Sequence, residues 1–152
     1  MNTHRATIRW THDGTDFLKR RYSRVHSVDF GHGIEVVGSA ATSVVPKPFA
    51  IDEAVDPEAM LTASLSACHM LTFLAAACKK KFMLDEYVDQ AVGHMEKNAD
   101  GKLAITRVEL HPALKFSGDN QPTEKDVEEM HHFAHENCFI ANSVKTEVTV
   151  VQ

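Results

Sequence analysis

Three cysteines, Cys68, Cys78 and Cys138, are the side chains of this 152-residue sequence best suited to redox or nucleophilic chemistry. Cys68 lies within Ser64-Leu65-Ser66-Ala67-Cys68-His69-Met70, a stretch that reads as the middle of a helix. A thiol there is a small hydrophobe unless something ionises it. A helix middle lends no dipole, so a neighbouring cation has to lower the thiol pKa. Arg20, Arg21 and Arg24 are the candidate cations, and Glu58 is the acid available to hold a guanidinium fork. Cys78 follows ten residues after Cys68 in the same helix, about 15 Å of rise. A disulfide needs Cα atoms within about 7 Å, so those two cannot pair in one intact helix. Beside Lys79, Lys80 and Lys81, Cys78 reads as structural or incidental.

Cys138 closes a second pattern. Val127, Met130, Ala134 and Cys138 are spaced 3, 4 and 4, which is one face of a helix. If that face packs on the helix of Cys68, the two sulfurs can approach, although spacing alone does not set their distance. A competing constellation shares the same residue: His131, His135 and Cys138, spaced 4 and 3, put three zinc-ligand types on adjoining faces, with His132 beside them. No HExxH or CxxC accompanies them, and a solvated histidine-rich face fits the same pattern.

The elements that position these residues follow from periodicity and punctuation. Arg5 to Trp10 alternates like a half-buried strand, with Ala6, Ile8 and Trp10 on one face and Trp10 expected in the core. Tyr22 to Phe30 and Ile34 to Ala40 read as strands joined by a Gly31-His32-Gly33 hairpin turn. After a loop from Ser43 to Val55, Asp56-Pro57-Glu58 opens a helix with a capping acid, a first-turn proline and a charge that suits the positive dipole end. It runs toward Lys79 to Lys81, a cationic end expected to be solvated, and it is apolar nearly all round. Tyr87 to Met95 and Leu103 to Phe116 read as two further strands. A helix capped by Thr123 with Asp126 follows, and Ser143 to Val151 forms a last strand. His69 points about 100° away from Cys68 around the helix and reads as a core or pocket histidine.

The pattern implies one α+β domain spanning residues 1–152. Sixteen Lys and Arg against twenty-one Asp and Glu, a net charge of −5, argue against a general nucleic-acid binder. The 43% hydrophobic content argues against disorder. The apolar run from Ala59 to Cys78 is interrupted by Thr62, Ser64, Ser66, His69 and Thr72, so a covered helix is expected rather than a membrane span. No secretory leader pattern opens the sequence, and a soluble cytoplasmic protein is expected. A domain of this size has little to wrap an all-round apolar helix, so part of that helix is expected to be covered by an identical subunit.

Two segments carry a resemblance. Asp56-Pro57-Glu58, followed by a small and apolar helix that reaches Cys68 ten residues after the glutamate, is one. The other is His135-Glu136-Asn137-Cys138-Phe139-Ile140-Ala141-Asn142-Ser143 before the last strand. Both resemble the OsmC/Ohr family of thiol hydroperoxidases, over nearly the whole chain and including the seventy-residue gap between the cysteines. The resemblance implies antiparallel sheets wrapped around a long central helix in an intertwined homodimer. It implies Cys68 as peroxidatic cysteine, Cys138 as resolving cysteine, Arg24 as the thiolate's cation and Glu58 as that arginine's partner. Substrate and reductant would be an organic hydroperoxide and an external dithiol, with no cofactor. Glu58 and Cys68 lie about 15 Å apart along one straight helix, so the glutamate serving a given Cys68 would come from the partner chain. The alternative is an OsmC-like dimer without peroxidase activity, binding a small ligand or a metal at His131, His135 and Cys138, with Cys68 inert.

Overall fold

The structure is a computed structural model and describes residues 2–151. Packing gathers the chain into two compact units, the first ending at Met60 and the second beginning at Leu61.

In the first unit three short strands, β1 (Thr7–Arg9), β2 (His26–Asp29) and β3 (Glu35–Gly38), form an antiparallel sheet in that order. Ile8 opposes Val28, and Val28 opposes Val36. The β2–β3 connection needs three successive residues at positive φ, Gly31 at 81°, His32 at 55° and Gly33 at 78°, which is why glycine occupies two of them. Asp29 steadies the turn by accepting the Gly31 N–H at 2.7 Å. The strands are shorter than their alternation suggested, and β1 is exposed along its length. Trp10 is not a core residue: it is 38% exposed, with its indole N–H donating to the Ser23 carbonyl at 2.8 Å and its ring against Phe17 and Tyr22. A strand this short at a sheet edge has too few neighbours to bury an indole. The unit ends in the opening turn of α1 (Pro57–Lys79), where the Asp56 carboxylate accepts the Ala59 N–H at 2.8 Å.

The second unit carries most of α1. Leu65, His69, Phe73, Ala76 and Ala77 form its buried stripe, spaced as one helical face. Each of the two strands read from Tyr87 to Met95 and from Leu103 to Phe116 is in fact parts of two. The elements are β4 (Met83–Asp89), β5 (Val92–Lys97), β6 (Leu103–Leu110) and β7 (Pro112–Ser117). Pairing forces the breaks: β4 pairs with β7 while β5 pairs with β6, so the chain must change sheets at residues 90–91 and again at His111. Continuous hydrophobic alternation hides such a switch. The last strand, β8 (Glu147–Val150), joins β6 in parallel. Gly93 in β5 lies where a Cβ would stand 2.4 Å from the Thr62 hydroxyl, so α1 approaches that sheet through a missing side chain.

Two apolar clusters hold the unit together. Leu65 packs with Val108, Leu110 and Val148 against the β5–β6–β8 sheet. Phe73, Ala76 and Ala77 pack with Met130 and Ala134 of α2 (Glu124–Asn137), flanked by Leu84, Tyr87 and Phe116 of the β4–β7 sheet. The Thr123 and Asp126 pair forms a full capping box, each side chain bonding the other's backbone N–H.

Candidate dithiol site

Helix α2 lies antiparallel against α1, as a ladder of contacts records. Lys80 at the end of α1 reaches Glu129 at 2.7 Å and Asp126 at 3.4 Å in the first turns of α2. The expected solvated lysine run is therefore an interhelical ion pair at Lys80. Further back, the rings of Phe73 and His131 lie 4.4 Å apart, and His69 Nε2 meets His131 Nδ1 at 3.0 Å. At the far end of the ladder Cys68 comes beside Cys138, close enough to bear on its proton. Twelve residues separate Cys68 from Lys80, and twelve separate Cys138 from Asp126, which is what two helices of equal rise running in opposite directions require.

The two sulfurs differ in setting. Cys138, 1% exposed, is the residue on which α2 stops; its backbone has turned to an extended conformation, and the Ala141 N–H donates to its Sγ at 3.3 Å. Burial, then the hydrogen bond with Cys68, pushes the Cys138 thiol above the ordinary thiol range, so the proton stays on that sulfur. Cys68 is half-buried, and Cys78 lies exposed near the end of α1; none of the three is in a disulfide.

Next to the thiols is a polar cluster that no motif announced. His69 and His131 are both buried, stacked with centroids 5.3 Å apart. Their pKa values are lowered to about 4, for His69 by burial and then by His131 and His135, for His131 by burial. Both rings are therefore neutral near pH 7, and one N–H serves the bond between them. Asp89 at the end of β4 accepts the Ser66 hydroxyl at 2.5 Å and the His111 N–H at 2.6 Å, and its charge partly offsets the lowering at both histidines. A sequence signal for the pair existed: His69 completes the Leu65 to Phe73 stripe, and His131 lies beside Met130 and Ala134 on the buried face of α2.

The metal constellation does not assemble. His131 bonds His69 through Nδ1 and also borders, with Glu128, His132 and His135, an open cleft of about 400 Å³, while Cys138 lies buried beside Cys68 and outside that cleft's lining. Among the described residues, no group of three or more His, Cys, Asp or Glu side chains is placed to hold a metal ion.

Of the other candidates, Arg24 stands in the first unit with its guanidinium 3.7 Å over the Tyr22 ring, donating to the Tyr22 carbonyl at 2.5 Å and to the Arg20 carbonyl at 3.3 Å. Such packing fixes the orientation of the guanidinium plane. Glu58 occupies the first turn of α1.

Among the described residues, two α-helices, three small mainly antiparallel sheets and a thiol pair between the helices define an α+β protein with an interhelical dithiol. The chain belongs to the OsmC-like protein family, whose sequence model matches residues 51–152. It is similar to an OsmC-like protein of unknown function from Vibrio cholerae, with 45% identity, a TM-score of 0.97 and 99% of each chain covered. The fold also matches an organic hydroperoxide resistance protein from Elizabethkingia anophelis, solved with crystallant-derived thiocyanate bound, at 18% identity and TM-score 0.70, covering 100% of this chain and 97% of that one. An organic hydroperoxide resistance protein from Legionella pneumophila matches at 19% identity and TM-score 0.68, covering 100% and 98%. No curated protein matches the chain in sequence.

Proposed function

We propose that this protein is a thiol-dependent peroxidase that reduces organic hydroperoxides through Cys68 and Cys138. The observation that carries the reading is the juxtaposition of two thiols seventy residues apart, one buried and the other half-buried. Cys68, as thiolate, attacks the distal peroxide oxygen; the O–O bond breaks, the alkoxide leaves and takes up a proton, and Cys68 becomes a sulfenic acid. Cys138 then attacks that sulfur. The S–S bond forms, the S–O bond breaks, and water leaves with the Cys138 proton. An external dithiol reduces the disulfide and is itself oxidised.

Arg24 and Glu58 complete the proposal as the cation that favours the thiolate and the acid that orients it. Glu58 precedes Cys68 by ten residues of one unbroken helix, so it serves the Cys68 of a second copy in a homodimer. The face of α1 opposite its buried stripe supports that partner: Ala63, Ala67, Leu71 and Leu74 are exposed, Leu71 at 63%, on a helix apolar and long enough by composition to cross a membrane. Burying such a face against its own copy removes apolar area from water without any lipid.

The test is hydroperoxide consumption with a dithiol reductant, wild type against Cys68→Ser, with mass spectrometry after one equivalent of an organic hydroperoxide. The expected products are a Cys68–Cys138 bridge within one chain and a Cys78 that still alkylates. Equal rates for wild type and Cys68→Ser remove the assignment.

A further inference from the structure

The same two helices that carry the sulfurs carry the histidine pair. His69 follows Cys68 directly, and His131 precedes Cys138 by seven residues, two helical turns. One contact between packed helices still lets them rotate and slide against each other; a second, at a different height, removes most of that freedom. The Lys80 ion pairs add little, because their side chains are 30% to 51% exposed and long enough to follow a moving partner, and the contacts of Phe73, Ala76 and Ala77 with Met130 and Ala134 are apolar and non-directional. His69 and His131 are short, planar and 1% and 5% exposed, and their 3.0 Å bond tolerates little displacement before it breaks. Phe73 closes one side of the stack, with its ring 4.4 Å from His131.

We infer that the His69–His131 bond is a positioning device that holds Cys138 in line with Cys68, so that a sulfenic acid formed on Cys68 is captured as a disulfide before a second peroxide reaches it. This rests on the peroxidase reading for its substrate, and on geometry alone for the bridging step. Capture competes with a second oxidation, in which the Cys68 sulfenate attacks another hydroperoxide and becomes a sulfinic acid with release of alcohol. The partition between the two products therefore reports how well Cys138 is placed, independently of how fast Cys68 first reacts.

His131→Phe keeps a ring against Phe73 and His69 but has no nitrogen to bond. His131→Asn keeps a polar atom where Nδ1 stands, and His69→Gln keeps one where Nε2 stands, so the double amide variant can remake the bond without imidazole. Folded protein of each, verified by its thermal transition, is dosed with cumene hydroperoxide over a range of concentrations. Disulfide and sulfinic acid are then counted by mass spectrometry. The expected result is a fall of roughly tenfold in the disulfide-to-sulfinic ratio for His131→Phe, the scale on which misplaced reacting atoms act. Sulfenic acid formation, trapped in a Cys138→Ser background, runs at the same rate with and without His131→Phe, and the double amide variant returns the ratio to near wild type. His69→Leu serves as the second removal variant should His131→Phe not fold.

Bridging driven by diamide, which oxidises a thiol pair to a disulfide while being reduced to its hydrazine, separates this inference from the peroxidase reading. A wild type that consumes no hydroperoxide, but whose diamide bridging is slowed by His131→Phe and restored by the amide pair, loses the peroxidase and keeps the positioning role. Wild-type bridging in folded His131→Phe, or an amide pair as defective as the phenylalanine, overturns the positioning role.

Discussion

Cys138 lies buried beside the half-buried Cys68 while taking an N–H bond from Ala141, so the later cysteine is the more enclosed and the more firmly held of the two. That asymmetry assigns different fates to the two serine variants. With Cys138→Ser, the first oxidation of Cys68 proceeds at its normal rate, but no intramolecular disulfide forms and turnover with a dithiol collapses. Intact-mass spectra should show Cys68 gaining one oxygen, then a second as hydroperoxide rises. Undiminished steady-state turnover in Cys138→Ser would mean that Cys138 does not resolve.

Acid should loosen the fold through the buried histidines. Their pKa values of about 4 lie below the value of about 6.5 expected in an unfolded chain. Between those limits the unfolded state binds protons that the folded state refuses, so stability falls as pH drops from about 6.5 to 4 and levels off below. The loss is on the order of 3 kcal/mol for each ring. Urea denaturation at a series of pH values checks it, with the His69→Gln, His131→Asn double variant expected to lose much less over the same window. A wild-type curve flat across that window would contradict neutral buried imidazoles.

Tyr87 offers a stabilising change. Its hydroxyl is buried and finds no hydrogen-bond partner among the described residues, and burial followed by the nearby Asp89 charge drives its pKa far upward. The ring itself is well placed, 5.6 Å from Phe73. Tyr87→Phe keeps that contact and removes an uncompensated polar group, so it should raise unfolding free energy by about 1 kcal/mol. A loss of stability on denaturant unfolding would show that the hydroxyl is satisfied in solution.

Association can be read at Leu71, which is exposed on the outer face of α1. A charge there would be desolvated in a helix-to-helix dimer and harmless on a monomer. Sedimentation equilibrium should find the wild type dimeric at micromolar concentration and Leu71→Asp shifted toward monomer with its helical content kept. A monomeric wild type would remove the shared site built from Glu58 of one copy and Cys68 of the other.

Much of this was legible in the order of residues. Asp56-Pro57-Glu58 announced α1, Thr123 with Asp126 announced α2, and Gly31-His32-Gly33 announced the hairpin, because caps and turns are satisfied by residues within a few positions of one another. The two segments around Cys68 and Cys138 carried the family. The breaks at residues 90–91 and His111 were illegible, because both sides of each break bury alternate residues and only the choice of partner strand separates them. Trp10 was misplaced for the related reason that alternation marks a strand without saying whether anything covers it.

What the sequence determined by itself was therefore local: which stretches are helical, where they begin, and which face of each is apolar. Only the tertiary structure decided that His131 bonds His69, that Cys138 stays out of the cleft that His131 and His135 share, and that two thiols seventy residues apart come side by side. A helical face is written in spacings of three and four, whereas the rotation and height at which two faces meet depend on every side chain between them at once.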